Sequence, residues 1–390
     1  MFCLDKSAIS CQFVIMKREI YMPVTRDLAR KMVLLSGPRQ VGKTYLAKKI
    51  MAQYERPVYL NFDNVNERKV IQEQGWSTRT DFLVLDEIHK MPNWKNFLKG
   101  AWDSRPAHLR ILVTGSARLE TFRQSGDSLA GRYYHHRLLP VTPAEANYVN
   151  ESFSISHFMK RGGFPEPLLE PLDDDAGRWR RLYADGLIRE DVLTFDNISQ
   201  LKAMNLLVEL LRNRVASPLS YQSLSEDIGI APNTVKHYMD ILESLYVVFR
   251  VYPYHRSIAR SIKKQSKFYF FDNGMVKGDD GVKFENLVAV SLLRQLYLLE
   301  DRDGKLRQLC YLRTRGGTEV DFIITEDGRP LFMVETKDAK RCLSHGLSYF
   351  SNKYGFPGIQ VVRDLPVENE SGILHQRRAE DWLKFADVLN

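Results

Sequence analysis

The stretch Gly37–Thr44, GPRQVGKT, decides the fold of the first part of the chain. It fits the phosphate-loop (P-loop) pattern G-x-x-x-x-G-K-[S/T], follows the apolar run MVLLS and precedes YLAKKIMAQ, a run with helical character. A strand, a glycine-rich turn and a helix in this order aim backbone N–H groups and a helix N-terminus at phosphate oxygens. The sequence therefore predicts a nucleoside triphosphate site at this loop.

Every residue of the loop is a candidate contact to the nucleotide: Gly37, Pro38, Arg39, Gln40, Val41, Gly42, Lys43 and Thr44. Glycine has no Cβ, so the backbone can approach the phosphates closely. We expect the Lys43 ammonium to reach the β- and γ-phosphates and the Thr44 hydroxyl to bind Mg²⁺. We identify no residue that reads the base, so these positions leave ATP and GTP open.

Four more apolar runs follow the loop at helix-length intervals. Each ends in a polar or glycine-rich turn, as do strands buried on both faces of a parallel sheet: PVYLNFD, DFLVLDE, RILVTGS and RYYHHRLLP. Together with MVLLS they predict an α/β fold with a doubly wound, mainly parallel sheet. The predicted P-loop core spans residues 31–143.

A pair of carboxylates ends the run FLVLDEIHK. Its apolar residues deliver Asp86 to the carboxyl end of a strand, where doubly wound sheets bind ligands. Asp86 is the predicted Mg²⁺ carboxylate. Glu87 is the predicted general base, because a carboxylate beside the γ-phosphate can accept a proton from the attacking water.

Two further positions are candidates for contact with the transferred phosphate. The run ILVTGSARLE ends in hydroxyl side chains, of which Ser116 is favoured over Thr114 for a hydrogen bond to the γ-phosphate or the water. Arg132, just before the run YYHHR, is a candidate catalytic residue. It would contact the triphosphate or act as a finger on a neighbouring subunit, or else be an ordinary surface arginine.

The rest of the chain divides into further predicted segments. They are an N-terminal leader and helix at 1–30 with Met16 as an alternative start, a helical lid or linker at 144–215, a winged helix at 216–276, and a small α/β nuclease-like domain at 277–390. Their order predicts that a nucleotide-binding engine is followed by accessory modules.

The winged-helix prediction rests on SYQSLSEDIGIAPNTVKHYMDILESLYVV, which indicates a helix, a turn and a second helix capped by Asn233. A basic segment without acidic residues then lies between two strand-like runs, VVFRVYPYH and KFYFFDN. These features favour DNA as a partner, although winged helices also dock proteins. The candidate DNA contacts are Asn233, Thr234, Lys236, His237, Arg256, Arg260, Lys263, Lys264 and Lys267.

The run TEVDFIITEDGRPLFMVETK predicts two strands joined by a tight turn at Asp327-Gly328. The hairpin would bring Asp321 near Glu335, with Lys337 on the same face as Glu335. With Glu285 from the helix KFENLVAV, these carboxylates would form a second metal site, with Lys337 catalytic. The order resembles the PD-(D/E)XK nuclease core, although Val320 replaces the proline that names the motif; cleavage activity does not follow from the resemblance.

A broader resemblance is carried by GPRQVGKT, FLVLDEIHKMPNW, ILVTGSARL, LAGRYY with LLPVTPAEA, GGFPEP and LIREDV. Together they resemble the prokaryotic ATPases that pair an AAA+-type domain with a C-terminal domain of uncharacterised function. The resemblance spans almost the whole chain and implies ATP as the nucleotide and the additional-strand-catalytic-glutamate class. It supports the roles given above to Lys43, Thr44, Asp86, Glu87, Ser116 and, more weakly, Arg132.

Composition narrows the function classes only a little. The net charge of +8 is compatible with nucleic-acid binding but does not require it. No run approaches the roughly 18 apolar residues of a membrane span, and the N-terminus lacks the apolar core of a signal peptide, so we expect a cytoplasmic protein without a membrane partner. Sites of this kind are often completed between subunits, which leaves a homo-oligomer open.

Three functional hypotheses follow. The leading one is an ATP-driven switch or motor that acts on DNA through the winged helix and the nuclease-like tail. The second is a signalling or scaffold ATPase that docks a protein partner. The third is a metal-dependent nuclease effector regulated by ATP.

Overall fold

The computed structural model describes residues 18–115, 129–146, 153–187, 201–255, 265–339 and 342–384. Contacts divide the chain into two compact units, one formed by Lys17–Leu139 with Ser244–Tyr246 and the other including Pro140–Glu243 and Val247–Asn390. We call them the N-terminal and the C-terminal unit. Each contains one β-sheet.

The sheet of the N-terminal unit has five parallel strands in the order β2-β3-β4-β1-β5. They are β1 (Met32–Ser36), β2 (Pro57–Asn61), β3 (Phe82–Asp86), β4 (Arg110–Thr114) and β5 (Tyr133–Arg137). Strands β1 and β3 are buried along their whole length, which explains their continuous apolar runs. The predicted parallel α/β core is confirmed, and β4 is an additional strand between β1 and β3.

Helices cover both faces of this sheet. They are α1 (Tyr21–Leu28), α2 (Lys43–Met51), α3 (Val65–Glu73) and α4 (Trp94–Asp103). The apolar side of α4 places Trp94 and Leu98 in one core with strand residues such as Leu83 and Ile111. Because the strands are parallel, the loops after β1, β3 and β4 all lie at the carboxyl end of the sheet, where this fold binds its ligands.

Helices open the C-terminal unit, which also contains an eight-stranded sheet. The helices before the sheet are α5 (Pro143–Ala146), α6 (Ile155–Arg161), α7 (Pro165–Leu169), α8 (Asp173–Gly186), α9 (Leu201–Arg212), α10 (Tyr221–Ile228) and α11 (Pro232–Ser244). Later helices are α12 (Asp280–Asp303), α13 (His345–Tyr354) and α14 (Ala379–Lys384). A buried ion pair between Arg294 and Glu145 joins α12 to α5 at 2.9 Å.

The strand order of this sheet is β12-β13-β11-β10-β9-β8-β6-β7. The strands are β6 (Val248–Pro253), β7 (Lys267–Phe270), β8 (Arg307–Arg313), β9 (Glu319–Glu326), β10 (Arg329–Lys337), β11 (Gly358–Val362), β12 (Asn369–Ser371) and β13 (Leu374–Arg378). Asp327 and Gly328 both have positive φ between β9 and β10, which confirms the predicted tight hairpin.

The predicted wing does not stand apart as a hairpin. Strands β6 and β7 pair antiparallel as expected, but β6 also pairs parallel with β8 through Tyr252 and Cys310. The pair therefore forms one end of the eight-stranded sheet. The winged-helix assignment stays a prediction.

The turn between α10 and α11 corrects one detail of that prediction. Helix α11 begins at Pro232, so Asn233 lies inside its first turn and is not the cap. The carbonyl of Ala231 accepts hydrogen bonds from the backbone N–H groups of Thr234 and Val235, at 2.9 and 3.1 Å. Proline favours the first helical position because its missing N–H would have no partner there, which moves the start upstream.

No helix within the described residues is both long enough and apolar enough to span a bilayer.

Candidate functional site

The P-loop backbone leaves β1 through two glycines that no other residue could replace without strain. A Cβ added to Gly37, whose φ is +149°, would lie 2.1 Å from the carbonyl oxygen of Leu138. Gly42, with φ +100°, occupies the position before α2 in a left-handed conformation. The loop can therefore fold tightly against the end of β5, which directs the N-terminus of α2 toward the loop.

Lys43 is held over its own loop. It is only 7% exposed, and its Nζ donates to the carbonyl oxygens of Gly37 at 2.9 Å and Pro38 at 2.6 Å. These bonds fix the ammonium on the concave side of the loop, where it can neutralise phosphate oxygens.

Asp86 is the meeting point of three strands and the P-loop helix. Its carboxylate accepts hydrogen bonds from the hydroxyls of Thr44 at 3.2 Å, Tyr59 and Thr114, and from the backbone N–H of Glu87 at 3.1 Å. The carboxylate is therefore fixed beside the Thr44 hydroxyl. Carboxylate and hydroxyl oxygens are the ligands that Mg²⁺ prefers, so this pair is suited to hold the ion.

Tyr59 is a member of this site that the sequence analysis missed. It lies on β2, next to Val84 of β3, and its hydroxyl donates to Asp86. Burial, followed by the hydrogen bond to Asp86, raises the pKa of Tyr59. The hydroxyl therefore stays protonated and remains a donor. No local signal in the sequence identifies Tyr59, because its place beside Asp86 depends on the pairing of β2 with β3.

Glu87 directly follows the strand in a left-handed conformation with φ +56°. Its backbone N–H donates to the carbonyl of Thr114 at 3.0 Å, and its carboxylate lies 3.6 Å from both His89 Nε2 and Lys90 Nζ. Burial raises the pKa of Glu87, while Lys90 and Lys43 oppose the rise. A carboxylate with a raised pKa is a better proton acceptor, as a general base requires.

The remaining two candidates of this site have different outcomes. Ser116 lies outside the described residues, whereas Thr114, the less favoured alternative, donates its hydroxyl to Asp86. Arg132 precedes β5 at the amino edge of the sheet, opposite the P-loop, because Tyr133 pairs with Met32 at the start of β1. It forms a bidentate pair with Asp103 at 2.8 and 3.0 Å. The predicted contact of Arg132 with a triphosphate bound in its own subunit is therefore wrong. A role on a neighbouring subunit stays a prediction.

A second polar site lies in the C-terminal unit. A cavity of about 300 Å³ is lined by Glu285 from α12, Asp321 from β9 and Lys337 from β10. Glu335, two residues before Lys337, accepts a hydrogen bond from the Asp321 backbone N–H at 3.2 Å. The structure thus brings all four predicted residues together, and we call them, with Lys267, the carboxylate cleft.

Each carboxylate in the cleft has a partner from the chain. Asp321 accepts from the backbone N–H and the hydroxyl of Thr336, at 2.8 and 2.7 Å. Glu335 pairs with Lys337 at 2.7 Å. Glu285 accepts from the Tyr269 hydroxyl at 2.7 Å. Among the described residues, no three His, Cys, Asp or Glu side chains are gathered so as to hold a metal ion.

Lys267 corrects part of the DNA-contact prediction. It is 2% exposed, and its ammonium lies 2.6 Å from Glu319 and 3.4 Å from Glu285. A lysine buried among carboxylates cannot contact a phosphate backbone. It is instead the internal counter-ion of the cleft.

Burial and mutual repulsion perturb the cleft carboxylates. Burial, and then the charge of Asp321, raise the pKa of Glu285 to about 8 and that of Glu335 to about 7. The cleft thus holds less negative charge near neutral pH than its count of carboxyl groups suggests.

Some of the other predicted DNA contacts lie within the described residues and some do not. Asn233, Lys236 and His237 are exposed on α11, and Thr234 is half-buried. Arg256, Arg260, Lys263 and Lys264 lie outside the described residues. An exposed face on the second helix is compatible with groove contact, which stays a prediction.

Comparison with protein families matches three consecutive parts of the chain. Residues 29–147 match the AAA domain, and residues 153–281 and 280–369 match two domains of unknown function, DUF8612 and DUF4143. The first match contains the P-loop, Asp86 and Glu87. This part of the chain is therefore a P-loop ATPase-like domain of the AAA type.

Similar proteins are found in bacteria and archaea. Rv2008c of Mycobacterium tuberculosis is 24% identical over 330 residues, which cover 83% of this chain and 74% of that protein. MJ1544 of Methanocaldococcus jannaschii is 26% identical over 371 residues, which cover 85% of this chain and 80% of that protein. Both are described as uncharacterised.

Solved structures similar to this chain include the Walker-type ATPase PABY2304 of Pyrococcus abyssi, at a TM-score of 0.43 and 15% identity over 67% of this chain and 95% of that one. The Holliday junction branch migration motor RuvB of Thermotoga maritima is similar at a TM-score of 0.30 and 17% identity, over 63% of this chain and 90% of that one.

Proposed function

We propose that the protein binds Mg²⁺-ATP at the P-loop and hydrolyses it with Glu87 as the general base. The observation that carries this proposal is the convergence of four hydrogen-bond donors on Asp86, which fixes a carboxylate beside Thr44 and directly before Glu87. Such a network fixes the charged groups before the ligand arrives, so no reorganisation is required during the reaction.

The residues divide the work of hydrolysis. Loop N–H groups and Lys43 bind the phosphates, while Thr44 and Asp86 hold the metal. Mg²⁺, when bound, neutralises charge on the β- and γ-phosphate oxygens. Glu87 accepts a proton from the attacking water, and its raised pKa suits that task. ATP is preferred to GTP on the family resemblance, and tighter or equal binding of GTP in a competition titration would reverse that preference.

The test is steady-state hydrolysis of Mg²⁺-ATP by the full chain and by Glu87→Gln. The amide keeps the size of the side chain but cannot accept the proton, so we expect turnover to fall by about 100-fold or more while ATP binding persists. Glu73→Gln, an exposed glutamate on α3, is the matched control. Wild-type turnover in the Glu87 variant would refute the assigned role.

We also propose that DNA is the partner of the C-terminal unit and that the carboxylate cleft binds a divalent cation. The exposed polar residues of α11 support DNA as the partner, and the cavity that Glu285, Asp321 and Lys337 line together supports the cation site. Among the described residues these carboxylates are not gathered as metal ligands, so a cation must draw them together; their all-oxygen donor set fits Mg²⁺ or Mn²⁺. Because Lys337 and Lys267 already neutralise these carboxylates, the metal must compete with ammonium groups. We therefore propose metal binding here, without a cleavage step.

Calorimetric titration of Mn²⁺ tests this second proposal. Asp86→Asn serves as the background, so that the nucleotide site contributes little metal binding. Adding Asp321→Asn should abolish the remaining heat, whereas adding Asp185→Asn, an exposed aspartate on α8, should leave it unchanged. Equal titration curves for the two double variants would refute a metal site in the cleft.

A further inference from the structure

A second cavity of about 720 Å³ lies between the end of β8, the strand end at Tyr254, and helix α13 with the turn that follows it. Its lining combines aromatic rings with basic groups. We call it the aromatic cleft and define it by Tyr254, Arg313, Tyr349, Lys353, Tyr354 and Phe356.

The rings form a continuous row along α13 and the turn after it. Tyr349 contacts Phe350 edge to face, with ring centres 5.2 Å apart. Phe350 stacks on Tyr354 at 6.0 Å, and Tyr354 stacks on Phe356 at 5.6 Å with only 19° between the planes. Tyr354 is nevertheless 50% exposed. The row therefore presents an aromatic surface that has part of its area in water.

Basic side chains lie beside these rings. The Lys353 ammonium is 5.2 Å from the centre of Tyr349 and 5.4 Å from that of Tyr354, and it donates to the Tyr349 hydroxyl at 2.8 Å. Arg313 lines the same cavity with its side chain 46% exposed. No Asp or Glu is among the described residues that line the cavity. The cleft is thus complementary to an anion that carries flat rings.

Ion pairs connect this cleft to the carboxylate cleft. Arg313 lies 3.4 Å from Glu319, and the other oxygen of that carboxylate pairs with Lys267, the counter-ion of Glu285. A chain of ion pairs therefore runs from one cleft to the other within the C-terminal unit.

We propose that the aromatic cleft binds single-stranded nucleic acid, with bases stacked on Tyr354 and its neighbouring rings and phosphates held by Lys353 and Arg313. Aromatic rings with adjacent cations are the combination that binds single strands without sequence preference, because every base offers a stacking face. The inference rests on the proposed action on DNA and names the form of DNA bound. A proline-rich peptide also uses aromatic grooves but gives no reason for the two cations that line this cavity.

Fluorescence anisotropy with the full chain tests the proposal, using a labelled oligothymidylate about 20 nucleotides long and the same length of duplex. Tyr354→Ala should weaken single-strand binding by about tenfold, whereas Tyr354→Phe, which keeps the ring, should stay within about twofold. Lys353→Glu should weaken binding and lower its salt dependence. Lys202→Glu, an exposed lysine on α9, makes the same charge change outside the cleft and should have little effect.

The outcomes separate the two levels of the proposal. Tight single-strand binding that Tyr354→Ala and Lys353→Glu leave unchanged would overturn the aromatic cleft while keeping DNA as the partner. Failure of the wild type to bind either form of DNA would overturn both. Binding of a labelled proline-rich peptide, lost in Tyr354→Ala, without oligonucleotide binding would assign the cleft to a protein partner instead.

Discussion

The nucleotide site and the carboxylate cleft both place carboxylates at strand positions, but they balance charge in opposite ways. Asp86 accepts hydrogen bonds from three hydroxyls and a backbone N–H, and these four donors carry no charge. In the cleft, Lys267 and Lys337 lie beside Glu285 and Glu335. One carboxylate is positioned by dipoles, whereas the others are neutralised by ammonium groups.

This difference in charge balance affects what each site can bind. Dipoles orient Asp86 but leave its negative charge for a cation, so the nucleotide site is ready for Mg²⁺ as folded. In the cleft, ammonium groups already pair with the carboxylates. The net free energy of binding a cation is therefore reduced by the free energy of the ion pairs that it breaks. We expect substitutions in the nucleotide site to change ligand binding more than stability, and substitutions in the cleft to change stability more than ligand binding.

The largest effect should follow Lys267→Met, which keeps the length of the side chain and removes the charge. Because the ammonium is buried between Glu285 and Glu319, its loss leaves two carboxylates uncompensated at a pH above the Glu285 pKa of about 8, and there it should cost about 3–5 kcal/mol in the free energy of unfolding. Urea denaturation measures it. Added Mn²⁺ should stabilise the variant more than the wild type, since the metal then takes the place of the lysine.

Lys277→Met is the matched control for that experiment. Lys277 also pairs with a glutamate, Glu209, but it is exposed, and an exposed pair contributes only about 0–1 kcal/mol. If the two methionine variants lost the same stability, Lys267 would not be the internal counter-ion that distinguishes the cleft.

The next effect is that of Lys43→Ala in the nucleotide site. The Lys43 ammonium is the group proposed to reach the β- and γ-phosphates, so its loss should lower ATP hydrolysis by about 100-fold or more, with less loss of stability than in Lys267→Met. Lys69→Ala, an exposed lysine on α3, controls for the change in net charge. If Lys43→Ala lost as much stability as Lys267→Met, the nucleotide site and the carboxylate cleft would not differ in the way described above.

Tyr59→Phe should have a smaller effect. It removes one of the four donors to Asp86 and keeps the ring, so hydrolysis should fall about tenfold through weaker Mg²⁺ binding, consistent with the lower end of about 1.5–3 kcal/mol for a hydrogen bond to a charged group. The Mg²⁺ concentration at half-maximal rate measures it. An unchanged Mg²⁺ requirement would exclude Tyr59 from the metal site.

Arg132→Ala should have the smallest effect, within about twofold on hydrolysis, because Arg132 lies at the end of the sheet opposite the P-loop and pairs with Asp103. The rate should be measured over a range of protein concentrations. A tenfold fall that depends on protein concentration would instead show that Arg132 acts on a neighbouring subunit.

The sequence predicted the parallel core well because every element there is local. Each strand is a short apolar run with its own turn, and the P-loop, Asp86 and Glu87 follow directly from strand ends. Tyr59 escaped because its role depends on β2 lying beside β3, a pairing that no local pattern specifies. Side-chain partners across a sheet are set by strand order rather than by spacing along the chain.

The C-terminal unit was predictable in pattern but not in assembly. The hairpin at Asp327-Gly328 and the meeting of Glu285 with Asp321 were predicted correctly from turn chemistry and strand alternation. Lys267 was interpreted as a phosphate contact because it ends a basic segment. Its acidic partners come later in the chain: Glu319 approaches through the pairing of β6 with β8 and of β8 with β9, and Glu285 through the packing of α12 against β7. A run of charges can be read from the local sequence, whereas the burial of one of its residues depends on distant parts of the chain.

The most direct test of the whole account is steady-state Mg²⁺-ATP hydrolysis by the full chain with and without single-stranded and duplex DNA, with Glu87→Gln as the control. The account predicts turnover that DNA stimulates and that disappears in Glu87→Gln. Turnover that is indifferent to DNA, or that persists in the variant, would contradict an ATPase that acts on DNA through its C-terminal unit.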